Sequence, residues 1–206
     1  MTTRRTFIGA TVALAALDAN GTAAAATASP YDFAALEAHL GRPSRHRQVF
    51  AAARTADGIA LGYMRRALDA YEFAAGEGPG TMHVAAVFYG RGVVLGLGDR
   101  AWRTYRLTEA LRKRGDTLSL DAPGHPFGDE MNALAARGAT FLVCDNALTD
   151  WATYLTAALG TSRLTPDEVR ADLRASLFPG ALLIPAGMMG LNAAQEAHFT
   201  YVQASL

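Results

Sequence analysis

The sequence has one cysteine, Cys144, in 206 residues. A single thiol forms no internal disulfide, so the core itself must supply the stability that small exported domains often take from cross-links. Neither sign of charge is in excess, with 19 Lys and Arg against 19 Asp and Glu. This balance gives no field to draw a phosphate backbone or an anionic membrane, and nucleic acid is not an expected partner. No apolar run reaches the roughly twenty residues that a spanning helix needs. There is no G-x-S-x-G elbow to anchor hydrolase chemistry. No second His or Cys stands at a ligand spacing from His125, so no metal is expected, and no cofactor is called for. Internal repeats are missing too, which excludes solenoid and propeller architectures.

What remains is a chain that is 50% hydrophobic and long enough for one sizeable core. Its first residues read as an address. Arg4 and Arg5 precede an apolar stretch from Phe7 to Leu17, and small residues follow up to Ala26, Thr27 and Ala28. These are the three parts of a secretory signal. Thr3-Arg4-Arg5-Thr6-Phe7-Ile8 matches the twin-arginine pattern, in which two arginines precede a polar residue and then an apolar pair. An uncleaved anchor is disfavoured because Asp18, Asn20 and Gly21 interrupt the apolar run. The expectation is a signal over residues 1–28, export by the twin-arginine pathway, and a periplasmic or other extracytoplasmic location with no membrane attachment after cleavage. Removing two arginines and one aspartate leaves a net charge of about −1, which changes nothing about partners.

Residues 29–46 read as an N-terminal arm, with Phe33, Leu36 and Leu40 at helical spacing before Gly41 and Pro43 stop the pattern. Residues 47–206 read as one α/β domain, because short apolar runs alternate with helical periods. Strands are expected over Gln48 to Ala52, His83 to Tyr89, Ala139 to Cys144, Ala181 to Ile184 and Phe199 to Gln203. Helices are expected over Gly58 to Ala75, with Ile59, Tyr63, Arg66 and Ala70 setting its turns, and over Trp102 to Arg114. Further helices are expected over Asp129 to Arg137, from Thr149 to Leu159, from the start signal Thr165-Pro166-Asp167-Glu168, and briefly over Asn192 to Glu196. The fold class is a three-layer α/β sandwich in which helices flank a five-stranded, mainly parallel sheet.

Ligands of open parallel sheets bind beyond the carboxyl ends of the strands, and this restricts the candidates. Cys144, Asp145 and Asn146 follow the third strand, and a helix N-terminus facing the sulfur favours thiolate. A carboxylate at Asp145 opposes it. Tyr89 and Arg91 follow the second strand, where Gly90-Arg91-Gly92 lacks the full dinucleotide pattern. Asn192 lies in the segment after the fourth strand, and His125 sits in a long Pro- and Gly-rich loop placed to cover the site. His83 opens its strand at the opposite edge and reads as structural. From the residues alone, Cys144 stays open between a reactive thiol and a packed one.

Three segments carry a resemblance: His83 to Gly90, Leu134 to Leu148, and Gly180 to Gln203. Through them the chain resembles the DsrE/DsrF-like sulfur-relay family over roughly Val49 to Gln203. The resemblance implies a persulfide site at Cys144 and a compact homo-oligomer, trimer or hexamer. The chain departs from the family pattern in its export signal, in the arm before Val49, and at Ala197-His198, where related chains often have glycine. An exported protein cannot serve cytoplasmic partners, so the resemblance implies an extracytoplasmic sulfur-carrying partner. The other reading is a non-catalytic small-molecule-binding or assembly module with a structural Cys144.

Overall fold

Alternation of apolar side chains along each strand decides the layering. In the computed structural model, which describes residues 29–116, 118–158 and 164–204, β1 (His46–Ala52), β2 (Met82–Phe88) and β3 (Thr140–Cys144) form the centre of a sheet completed by β4 (Leu182–Ile184) and β5 (Thr200–Gln203). The order is β4-β3-β2-β1-β5 and every pairing is parallel, with Val49 opposite Ala85 and Phe88 opposite Val143. The export segment expected over residues 1–28 lies outside the described residues. Among those described, no helix is long and apolar enough to cross a membrane.

Phe50, Val84, Ala86, Phe88, Phe141 and Val143 point to one face, where they pack with α2 (Ile59–Asp69), α3 (Asp99–Thr104), α4 (Leu107–Lys113), α5 (Gly128–Ala136), α6 (Asp145–Ala158) and α7 (Pro166–Arg174). Val49, Ala51, Ala85, Val87 and Leu142 point to the other, under α1 (Phe33–Leu40) and α8 (Gly187–Glu196). All seven residues of β2 are buried, as a parallel strand covered on both faces requires. Each fully buried Val, Leu or Phe contributes roughly 1.5–3 kcal/mol. The core therefore needs no cross-link.

The structure differs from the sequence expectations in four places that matter for the site. In α2 the buried set is Ala60, Leu61, Met64 and Leu68 rather than the Ile59, Tyr63, Arg66, Ala70 row, because Leu61, Met64 and Leu68 present more apolar area on one face. The expected helix from Trp102 to Arg114 is two helices broken at Arg106, whose backbone is left-handed at φ 48° and ψ 50°. The side chains of Trp102 and Tyr105 anchor the first to Val94 O and Asp172, while Leu107 and Leu111 enter the core along a second axis. The helix expected to start at Thr149 starts at Asp145, directly after β3, and the Thr149 hydroxyl donates to Asp145 O within it. The last helix starts at Gly187 instead of Asn192. The helix start expected at Thr165 forms, and it does so as a capping box, with Glu168 N–H donating to Oγ1 and Thr165 N–H donating to the Glu168 carboxylate.

Candidate functional site

β3 and β4 are neighbours, yet the chain leaves them in opposite directions. β3 runs into α6 on one face and β4 into α8 on the other. That divergence is the switch point at which open α/β sheets form ligand crevices. Cys144 ends β3 and pairs with Ile184, the last residue of β4. Just beyond them the Asn146 N–H donates to Pro185 O at 3.2 Å and ties the two strand ends together. The sulfur accepts the Ala147 N–H at 3.4 Å, and that donor belongs to the first turn of α6. Cys144 is 5% exposed and packs with the same cluster as Val143.

Asp145 is fully buried, and its carboxylate is turned into α7. Arg170 Nη2 donates to Oδ2 at 2.6 Å, Arg174 Nε donates to Oδ1 at 2.8 Å, and the second nitrogen of Arg174 reaches Oδ2. The Tyr31 hydroxyl adds a bond to Oδ2 at 2.7 Å. Burial alone raises the carboxyl pKa, but the bonds from Arg174, Arg170 and Tyr31 outweigh it and hold it at about 2. The same bond raises the Tyr31 hydroxyl, with burial adding to it. The carboxylate expected to oppose charge on the sulfur is thus more than compensated, since two guanidinium groups face one carboxylate.

Tyr89 follows β2 and is half-buried, packed against the first residue of α8. A Cβ on Gly187 would stand 2.7 Å from Tyr89 Cβ, so this approach requires glycine. Burial, and then the nearby Tyr201, raise the Tyr89 hydroxyl pKa. Arg91 opens a 3-10 turn over Gly90–Gly96 and donates from Nη1 to Arg114 O at 2.6 Å. Trp151 of α6 donates from Nε1 to Gly90 O at 3.1 Å, linking this loop to the helix that starts at Asp145.

Two expected pocket residues are committed elsewhere. His125 uses both ring nitrogens within its own surroundings: Nδ1 accepts the Phe127 N–H at 3.1 Å and Nε2 donates to Leu95 O at 3.0 Å, while the ring lies against Trp102. Burial lowers its pKa against the pull of the Leu95 bond. It staples the 121–128 loop to Leu95, with both ring nitrogens engaged. Asn192 lies within α8, exposed, and donates to Glu196 Oε1 at 2.9 Å, because the helix begins earlier than its sequence signal. Asn146 contributes its backbone N–H, and its side chain is exposed.

Two concavities are lined by residues other than Cys144 and its neighbours. One of about 490 Å³ is lined by Asp57, Tyr63, Arg66, Leu120 and Phe127, and one of about 480 Å³ by Arg103, Arg106, Glu109, Arg112 and Asp121. In the second the charges pair with one another. Among the described residues no group of three or more His, Cys, Asp or Glu could hold a metal ion.

Arg170 and Arg174 were not legible as site residues. Their signal was the i, i+4 spacing beside the buried Val169 and Leu173 of α7, which marks a basic stripe along the edge of a packed face. Tyr31 had no sequence signal at all.

No family model matches the chain, and no curated protein matches it. Among solved structures, the chain is similar to the protein of unknown function MTH1491 from Methanobacterium thermoautotrophicum, at 15% identity over 77% of this chain and 98% of that one, with a TM-score of 0.43.

Proposed function

We propose that the protein is an exported carrier of sulfane sulfur, related to the DsrE/DsrF-like relay proteins, in which Cys144 is the acceptor. One observation supports this above others. The only thiol of the chain ends a central strand at the switch point of the sheet, with the Ala147 N–H on its sulfur.

In the proposed step the Cys144 thiolate attacks the outer sulfur of a persulfide or polysulfide donor. A new S–S bond forms to Cys144, the S–S bond of the donor breaks, and the donor leaves as a thiolate from a persulfide or as a polysulfide or hydrosulfide anion one sulfur shorter from a polysulfide. The thiol proton is lost to solvent and no external oxidant is consumed. The Ala147 N–H steadies charge at Cys144 Sγ, and Arg170 and Arg174 offset the adjacent Asp145 carboxylate. The proposal includes twin-arginine export, a trimeric or hexameric assembly, and an extracytoplasmic partner that gives or takes the sulfur.

The test is loading with polysulfide, removal of excess reagent, and addition of cyanide, which takes sulfane sulfur as thiocyanate. One thiocyanate per chain is expected from the wild type and none from Cys144→Ser. Equal yields from both proteins contradict the proposal. The burial of Cys144 favours a second reading, a non-catalytic binding or assembly module with a packed thiol. That reading predicts no loading and no loss of fold or assembly in Cys144→Ser.

A further inference from the structure

The carboxyl ends of β1 and β2 carry a second constellation, distinct from the thiol. Arg54 follows β1, Arg91 follows β2, and Arg114 ends the segment that α4 begins. None of the three forms an ion pair among the described residues. Asp116, the carboxylate nearest Arg114 in sequence, is buried and accepts the Thr55 N–H at 3.1 Å.

Arg114 is held as few surface arginines are. Its guanidinium lies 4.6 Å from the Trp151 ring and 4.7 Å from the Tyr154 ring, and those rings stand at 88° to one another. Nη1 is buried in this corner without a hydrogen-bond partner, so it faces aromatic carbon. Nε and Nη2 make no hydrogen bond to the described residues, and the side chain as a whole is half-buried. The backbone carbonyl of Arg114 receives Arg91 Nη1, which holds the Arg91 guanidinium against the main chain at Arg114. Trp151 is itself fixed through its Nε1 bond to Gly90 O. Aromatic packing therefore fixes one cation and a main-chain bond fixes the other, and beyond that bond neither guanidinium donates to a described residue.

We propose that Arg91 and Arg114 form a site for a small oxyanion at the carboxyl edge of β1 and β2. Paired guanidinium donors match an anion that presents two oxygens at once. Arg114 itself occupies the corner between the two rings, which favours a small anion over a nucleobase stacked there. Gly115, left-handed at φ 69°, places no side chain beside Arg91, whose Nη1 would lie 4.0 Å from a Cβ there. The site requires nothing from Cys144.

Trp151 fluorescence of the full-length protein reports binding, with sulfate as the tetrahedral probe, acetate as the planar one, and chloride at matched ionic strength as the reference. A saturable change with sulfate or acetate, absent with chloride, is expected. Arg91→Ala, whose side chain makes no contact with the rings, weakens it about tenfold or more, the loss that follows from one charge-assisted bond. Arg114→Lys keeps the charge and loses the planar fork, and also weakens binding. Cys144→Ser binds as the wild type does, so a failed sulfur transfer leaves this result intact. Responses equal to chloride, or an Arg91→Ala protein that binds unchanged, overturn the proposal.

Discussion

The Tyr31 hydroxyl donates to Asp145 Oδ2 across 114 residues of sequence, at 2.7 Å. Tyr31 thereby fixes the start of the N-terminal arm at the carboxyl end of β3. The other end of the arm is fixed at the opposite edge of the sheet, where Arg42 Nη2 donates to Gly138 O at 2.6 Å and to Thr140 Oγ1 at 2.8 Å. α1 lies between these anchors and buries Leu36 and Leu40 on the sheet. The arm is part of the core on that face, and one of its anchors is a partner of the residue next to Cys144.

Asp145→Ala leaves Arg170 and Arg174, both half-buried, beside each other without their buried carboxylate. Breaking a buried ion pair in this way costs about 3–5 kcal/mol. Urea unfolding should show a loss of that order, against about 1 kcal/mol for Tyr31→Phe, which removes one hydrogen bond. A loss below 1 kcal/mol in Asp145→Ala would mean that the cluster is hydrated and loose.

His83 makes a separate prediction about pH. Its Nε2 faces Arg42 Nη2 at 2.9 Å and Thr140 Oγ1 at 3.0 Å, so the ring is neutral and Nε2 accepts. Burial, then the charges of Arg42, Arg47 and His39, push its pKa down to about 4. The unfolded chain binds this proton near the ordinary value of about 6.5, whereas the native state does not. Stability is present in full above that value and falls by on the order of 3 kcal/mol as pH drops towards 4. The paired Asp145 adds its own loss only lower, from its ordinary range down to about 2. Urea midpoints between pH 7 and 4.5 should fall steeply in the wild type and more gently in His83→Gln.

Much of the architecture follows from sequence pattern. The runs ending at Ala52, Phe88 and Cys144 are apolar and bounded by breakers, and they form the three central strands. Cys144, Tyr89 and Arg91 stand at strand ends because strand ends are legible. His125 and Asn192 have partners that the sequence did not show, for different reasons. A loop histidine gives no sign that main-chain groups will take both its nitrogens, and α8 starts at Gly187 without a side-chain cap to announce it. Asp145 was legible as a neighbour of the thiol but not as the centre of a cluster, because its partners come from α7 and from the arm. Such distant pairings leave no local period in the sequence.

Gly187→Ala tests the approach of α8 to Tyr89. The added methyl group meets Tyr89 Cβ, and overpacking of this kind costs roughly 1–3 kcal/mol. Thermal unfolding should register the loss, and the Tyr89→Gly, Gly187→Ala double variant, which removes the opposing Cβ, should recover part of it.

Thr165→Ala removes the acceptor of the Glu168 N–H at the start of α7, a loss of about 1 kcal/mol. α7 carries both arginines that hold Asp145, so hydrogen exchange of its first turn should rise in the variant. Unchanged exchange there would show that packing through Val169 and Leu173 alone fixes the helix.

The intact mass of the folded, full-length protein after brief polysulfide treatment tests the sulfur carrier most directly. The account predicts an added mass of one sulfur atom, removed by a reducing agent and mapped by fragmentation to Cys144. An unchanged mass, from a folded protein whose thiol also resists alkylation until it is unfolded, would contradict it and leave Cys144 as a packed core residue.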